Sequence, residues 1–338
     1  MYAPALFTTT ATATIIMDGA ADAATDNLPT ITAADGMGKL AEAWLAQLDV
    51  AASTKATYRR NVAHYVGWLR AHGITGYPTR ADVVQYKAEQ EGAFATSTIK
   101  SRMSTVKSLH AFAAAEFSAA DPAAHVKTAT GKADESFKRD YLTEGQVART
   151  LRGIDRSTLA GRRDYAMIAL MVTAGLRTIE IARADIGDIR TMGGARVLYV
   201  HGKGRSGKDA FVKIAPEVDA AIASYIKARR EAGEHIADAS PLFVPAGNRR
   251  ADGGRMTTRS ISRIAKEAMK AAGIDDARHT AHSLRHTTAT LALLDGAPIE
   301  EVQAALRHRS ISTTLIYAHH LSATANTTAS RVAGRIFQ

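Results

Sequence analysis

Four widely separated clusters hold side chains whose types and spacing suit chemistry on a phosphate. In TAGLRTIEIA, Arg177 follows the glycine that closes an apolar run, and Glu180 stands three residues further on. A guanidinium at such a hydrophobic helix end is costly unless an anion meets it, and that anion is either a ligand or an acid of the chain, Glu180 or another. In HGKGRSGK, Lys203, Arg205 and Lys208 lie in a glycine-rich turn where the backbone can approach a phosphate, although many hairpins carry basic turns. In TAHSLRHTTAT, His282 and Arg285 are spaced i, i+3 on one helical face, so the pair can grip one phosphate, the arginine with its bidentate fork. The same run also admits a zinc site from His279, His282 and His286, but Arg285 would put a cation beside the metal and no carboxylate lies in the run. In ALRHRSISTTLIYAHH, His308 and Tyr317 lie nine residues apart around a Ser/Thr segment suited to capping a new helix.

The elements that must position these groups follow from periodicity. Residues 1–37 are Ala-, Thr- and Asp-rich with no regular apolar period, and are expected to be a disordered acidic tail. Residues 38–120 read as a small all-helical domain. Leu40, Trp44 and Leu48 recur at i, i+4, i+8; after a capping candidate at Ser53, the residues Tyr58, Val62, Tyr65, Val66 and Leu69 make one stripe. A third helix is expected near 80–90. In a fourth, near 97–117, Ile99, Met103, Val106, Leu109 and Phe112 face inward, leaving Lys100, Arg102 and Lys107 on other faces. Residues 121–140, with Pro122, Gly131 and many small or charged residues, read as a linker.

A second body spans 141–325. It opens with helices, one of them the strongly apolar DYAMIALMVTAG. The period then shifts at RVLYVHG and DAFVKIA to two short strands forming a hairpin, and helices resume at Pro216. Residues 326–338 read as a terminal helix with Val332, Ile336 and Phe337 on one apolar stripe, which docks either on its own domain or, across a polar Ala/Thr spacer, beyond it.

Composition bounds the function. The chain has 338 residues, enough for about two domains. The absence of cysteine excludes thiol nucleophiles, iron–sulfur clusters and thiolate zinc sites. The longest strongly apolar stretch, Tyr165 to Val172, falls far short of the ~20 residues that span a bilayer. Net charge is +10, although residues 1–38 hold four Asp and no Lys or Arg; the excess of positive charge therefore lies on the two bodies and suits a polyanion.

Taken in order, GLRxxE (175–180), the GKG turn (202–204), HxLRHTxAT (282–290) and LxHxSIxTTxxY (306–317), preceded by a four-helix domain, resemble the tyrosine recombinases of the phage-integrase family, Xer-type proteins included. Two positions depart from the family pattern: Arg307 stands where a glycine is usual before His308, and Ala184 where a larger aliphatic is common.

The resemblance implies a mainly α fold with a small β-hairpin or sheet in the catalytic domain, behind a helical, SAM-like core-binding domain. It implies a site-specific DNA recombinase, independent of metal and ATP and without cofactor, working through a 3′-phosphotyrosyl intermediate. In that scheme Tyr317 attacks, Arg177 and Arg285 clamp the non-bridging oxygens, and Lys203 protonates the leaving 5′ oxygen, with Lys208 as the alternative. His282 assists proton transfer, His308 donates to the phosphate, and Glu180 orients the site. DNA contacts are expected from Arg59, Arg60, Lys100, Arg102, Lys107, Arg205, Lys208, Arg259 and Arg307. The implied partners are duplex DNA with inverted-repeat half-sites and a homotetramer on two such sites, in the cytoplasm at the nucleoid and not at a membrane. A non-enzymatic helical regulator and a type IB topoisomerase-like activity are the alternatives.

Overall fold

Helical spacing of large apolar residues builds most of the molecule. The computed structural model describes residues 36–128, 140–201, 207–246, 254–324 and 328–337 and divides the chain into two units, 1–134 and 135–338. The acidic tail before residue 36, most of the expected linker, Lys203 and Arg205 lie outside the described residues.

The first unit consists of α1 (Gly36–Gln47), α2 (Ala52–Ala71), α3 (Arg80–Gln90) and α4 (Thr96–Phe117). Its core is the set of stripes legible in the sequence: Leu40 and Trp44 from α1, Val62, Tyr65 and Leu69 from α2, and Met103, Val106 and Leu109 from α4. The start of α2 differs from expectation. Ala51 is the N-cap and makes no side-chain bond; Ser53 lies inside the helix, where its carbonyl accepts from the Thr57 hydroxyl at 3.0 Å. The next two helices follow their sequence signals more closely, and Thr79 with Asp82 closes a capping box on α3.

The linker also begins later than composition implied. Ala123 and Val126 are buried in the core of this unit, because Ser118 turns the chain back in the left-handed region after α4. Small apolar side chains fill a shallow groove without leaving the strong periodic mark that large ones do.

The second unit begins with α5 (Glu144–Arg152), α6 (Leu159–Ala174) and α7 (Thr178–Arg183). A single 3-10 turn, Ile186–Asp188, leads into an antiparallel sheet of order β1-β2-β3, formed by Ile189–Met192, Ala195–Val200 and Ala210–Lys213. The expected two-stranded hairpin is thus a three-stranded sheet. The missed strand is joined to β2 through Gly193 and Gly194, both at positive φ, as a tight two-residue hairpin requires. After the sheet come α8 (Pro216–Glu231), α9 (Thr258–Ala271), α10 (Ala281–Leu294), α11 (Ile299–Leu306), α12 (Ser312–Thr324) and α13 (Thr328–Ile336). The apolar α6 packs chiefly on α8 and α10 and shares one core with Leu198 and Val212 of the sheet, Tyr225 of α8, Ile261 of α9 and Leu284 of α10. Among the described residues no helix is long and apolar enough to cross a membrane.

Candidate active site

The site is built around the end of α6. Gly175 closes that helix at φ +60°, a left-handed conformation that glycine takes freely, and a Cβ there would press on a Leu306 methyl at the end of α11. Arg177 follows as the N-cap of α7. Its amide donates to Glu180 Oε2 at 2.8 Å and its Nη1 to Oε1 at 3.0 Å, and its side chain is half-buried. Glu180 is 1% exposed and also accepts from Arg307 Nη2 at 2.8 Å. Burial works against its ionisation, but Arg307, the Arg177 amide and the Arg177 guanidinium outweigh it and hold the carboxyl below its ordinary range.

Arg285 projects from α10 into the interior, where its guanidinium donates to the Gly175 and Leu306 carbonyls. Both acceptors are helix-end carbonyls that lack intrahelical partners, so the arginine completes two helix termini while they aim its fork. Burial, with Arg177 adding to it, pushes Arg285 down to about 9, and it remains cationic at neutral pH. His282 lies one turn earlier on α10, exposed, where Thr280 caps the helix. An open cavity of about 610 Å³ is lined by Arg177, Thr178, Arg263, Lys266, His279 and His282.

His308 follows α11, its Nδ1 2.8 Å from the Thr314 hydroxyl. Burial, then the charges of Arg285 and Arg177, drive it down to about 4, so the ring is neutral at pH 7. Tyr317, on α12, is 4% exposed and packs on Ala289, Val302 and Leu306. Its ring is 5.2 Å from that of His286, which in turn meets His282 edge-on at 4.7 Å. Burial raises the Tyr317 phenol above its usual value, while Arg285 and Arg177 pull it the other way.

Arg177, Arg285, His308 and Tyr317 are therefore brought together from α7, α10, the α11–α12 turn and α12. Lys208 is held elsewhere, on Asp185 at 2.6 Å and Asp188 at 2.5 Å, with Arg255 on the other oxygen of Asp185 at 2.5 Å. Burial works against its charge, but the two carboxylates prevail and raise its pKa. The histidines weighed as a zinc site are divided: His279 turns to Asp276 Oδ2 at 2.6 Å and to the Tyr141 carbonyl. Among the described residues no three His, Asp or Glu side chains are placed to hold a metal.

Of the basic residues expected to meet DNA, Arg59, Arg60 and Lys100 are exposed on α2 and α4, and Arg259 on α9. Lys107 is half-buried; Arg102 donates to Gln90 at 3.0 Å and covers the Phe94 ring at 4.1 Å. Arg307 is largely buried, as its bond to Glu180 requires. Sequence reasoning missed the Asp185–Asp188–Lys208 cluster and the place of His286 beside Tyr317. The first had a signal in the DxxD spacing, whereas the second depended on how α10 meets α12.

Comparisons with known proteins fit this geometry. Residues 140–324 match the phage integrase family, and residues 41–116 match the phage integrase N-terminal SAM-like domain. The tyrosine recombinase XerD of Bifidobacterium longum (strain NCC 2705) is 31% identical over 305 residues, 84% of this chain and 94% of that protein. XerD of Ralstonia nicotianae (strain ATCC BAA-1114 / GMI1000) is 34% identical over 274 residues, 80% of this chain and 84% of its own. The fold is shared with the XerH site-specific recombinase in a post-cleavage complex with palindromic difH substrate, at TM-score 0.68 and 17% identity over 87% of this chain and 85% of that one. It is shared too with the Tn1549 transposon integrase in complex with transposon right end DNA, at TM-score 0.65 and 20% identity over 89% of this chain and 99% of that one. With its catalytic and N-terminal segments both matched, the chain belongs to the phage integrase family, the tyrosine recombinases that cleave DNA site-specifically and transfer its strands.

Proposed function

We propose that Tyr317 is the nucleophile of this recombinase. Its oxygen bonds to the scissile phosphorus, the bond from phosphorus to the 5′ oxygen breaks, and a 3′-phosphotyrosyl link conserves the bond energy without ATP or metal. The phenolic proton must go to an acceptor, since burial keeps the hydroxyl protonated at neutral pH; His282 assists in that transfer. Arg177 and Arg285 neutralise the non-bridging oxygens as charge builds. If the Thr314 hydroxyl donates to His308 Nδ1, the neutral ring carries its proton on Nε2, ready for a phosphate oxygen. Lys203 protonates the departing 5′ oxygen. The alternative, Lys208, is the weaker choice because two carboxylates already hold it. The observation that carries the proposal is the buried Tyr317 ring, flanked by the His308 and His286 rings at 6.3 and 5.2 Å, in the part of the fold where Arg285 is pinned to the Gly175 and Leu306 carbonyls.

The likeness to XerH on a palindromic substrate, and to a lambda integrase tetramer on a Holliday junction, supports inverted-repeat half-sites and a tetramer on two DNA sites. The acceptor for subunit exchange would be a second copy, reached through α13. Duplex DNA in the cytoplasm, at the nucleoid, is the setting this implies.

The test uses a nicked suicide duplex carrying the half-site that the full-length chain selects from a random-sequence duplex pool. A covalent protein–DNA band on a denaturing gel, lost in Tyr317→Phe, supports the assignment. Binding without a covalent band would favour a regulator, and relaxation of supercoils without strand exchange between paired sites would favour topoisomerase-like action.

A further inference from the structure

Arg307 ends α11 at φ 54° and ψ 46°, a left-handed conformation that glycine adopts without strain and an arginine does not. That turn sets two groups of the site. It leaves the Leu306 carbonyl facing the Arg285 guanidinium, and it delivers His308, whose amide donates to the Gln303 carbonyl at 3.1 Å and whose ring meets Thr314. The Arg307 side chain folds back over the turn, with Nη1 donating to the Ala305 carbonyl at 2.7 Å and Nη2 to Glu180 Oε2 at 2.8 Å. It is 13% exposed, and its Nε is buried with no hydrogen-bond partner among the described residues. Glu180 spends its other oxygen on Arg177 Nη1. One buried carboxylate thus ties the loop that bears Arg177 to the turn that bears His308.

We propose that Arg307 is a positioning residue of the phosphate site: through Glu180 it locks the left-handed turn before His308 to Arg177, so that the two sides of the phosphate clamp hold one relative geometry. The proposal rests on Arg177, Arg285 and His308 being the phosphate-binding groups. A glycine at 307 would make the turn with less strain but would leave Glu180 to Arg177 alone, so a purely conformational role and a positioning role give opposite results for the same substitution.

The experiment measures single-turnover cleavage of the suicide duplex by full-length Arg307→Gly, Arg307→Lys and Glu180→Gln. Each duplex is also made with a methylphosphonate at the scissile position, which removes the charge that Arg177 meets. Arg307→Gly is expected to slow cleavage roughly 10- to 100-fold, the scale of a misplaced clamp, with duplex affinity near wild type. Arg307→Lys, which keeps the charge but not the fork, should recover part of the rate. Combining Arg307→Gly with Glu180→Gln should cost little more than either alone. On the methylphosphonate duplex the deficit of Arg307→Gly should shrink. Cleavage by Arg307→Gly at the wild-type rate or faster overturns the proposal, as does an equal deficit on both substrates, which a merely structural effect would give. Arg177→Ala is the control: if it cleaves normally, the assignment of the phosphate site fails, and not this inference alone.

Discussion

The His308 imidazole lies parallel to the Tyr317 ring, centroids 6.3 Å apart and planes 2° from each other, while His286 tilts against the same ring from another side. Tyr317→Phe keeps that stacking and the contacts with Ala289, Val302 and Leu306, and removes only an oxygen. It should abolish the covalent adduct while melting temperature and duplex affinity stay close to wild type. An adduct that persists would move the nucleophile to Tyr165 or Tyr199, both of which carry an arginine over the ring.

Arg177 and Arg285 should separate by stability. Either truncation to Ala should slow cleavage by roughly 10²-fold or more, the scale of one lost transition-state charge contact. Without the Arg177 guanidinium, the buried Glu180 still accepts from Arg307 and from the residue-177 amide, so this loss should lower the melting temperature less than that of Arg285. Removing Arg285 leaves the Gly175 and Leu306 carbonyls without their donor beside a new cavity, and should also destabilise the fold by about 2–4 kcal/mol. Neither rate should respond to EDTA. Inactivation by EDTA that added Mg²⁺ or Zn²⁺ reverses would reinstate a metal-dependent mechanism.

The two lysines of the β2–β3 connection can be told apart by the leaving group. A 5′-bridging phosphorothiolate departs as a thiolate and needs no proton. Lys203→Ala should therefore be slow on the oxygen substrate and rescued on the sulfur one. Lys208→Ala should lower the melting temperature by taking the cation from Asp188 and leaving Asp185 to Arg255 alone, with no such rescue. Rescue of Lys208→Ala instead would exchange their roles.

In the first unit, His110 is buried between the Tyr65 and Tyr77 hydroxyls at 3.0 and 2.9 Å. Burial pushes its pKa down to about 4, against an ordinary value of about 6.5 when the chain unfolds. Between those values the unfolded state binds the extra proton. Stability is therefore full above about pH 6.5, falls as pH drops towards 4, and loses about 3 kcal/mol through this group. His110→Gln does not titrate, so its melting temperature should trail wild type at pH 7.5 by more than at pH 5. A gap independent of pH would show that His110 does not carry this effect.

At the other end of the chain, Val332 and Ile336 of α13 and Phe337 just after it are exposed, Phe337 by 85%. Deleting residues 328–338 should leave a protein that binds one half-site but forms paired-site complexes poorly on native gels. Normal assembly and recombination by the truncated chain would show that the segment is dispensable.

What the sequence determined alone was local. The stripes of α2, α4 and α6 and the partnership of Arg177 with Glu180 each lie within a few turns of one helix, where spacing dictates which side chains share a face; the same spacing put His282 beside Arg285, yet packing leaves the first exposed and buries the second. The strand Ile189–Met192 escaped because four residues carry too little alternation, and only its Gly-Gly turn betrayed it. Packing decided the rest. Glu180 reaches Arg307 across 127 positions, Lys208 chooses Asp185 and Asp188, and Ala123 and Val126 enter a core from a segment that composition assigns to a linker. A carboxylate pairs with whichever cations the folded chain brings to it, and a small side chain is buried wherever a groove is left. Both outcomes depend on surfaces that exist only after the helices have packed.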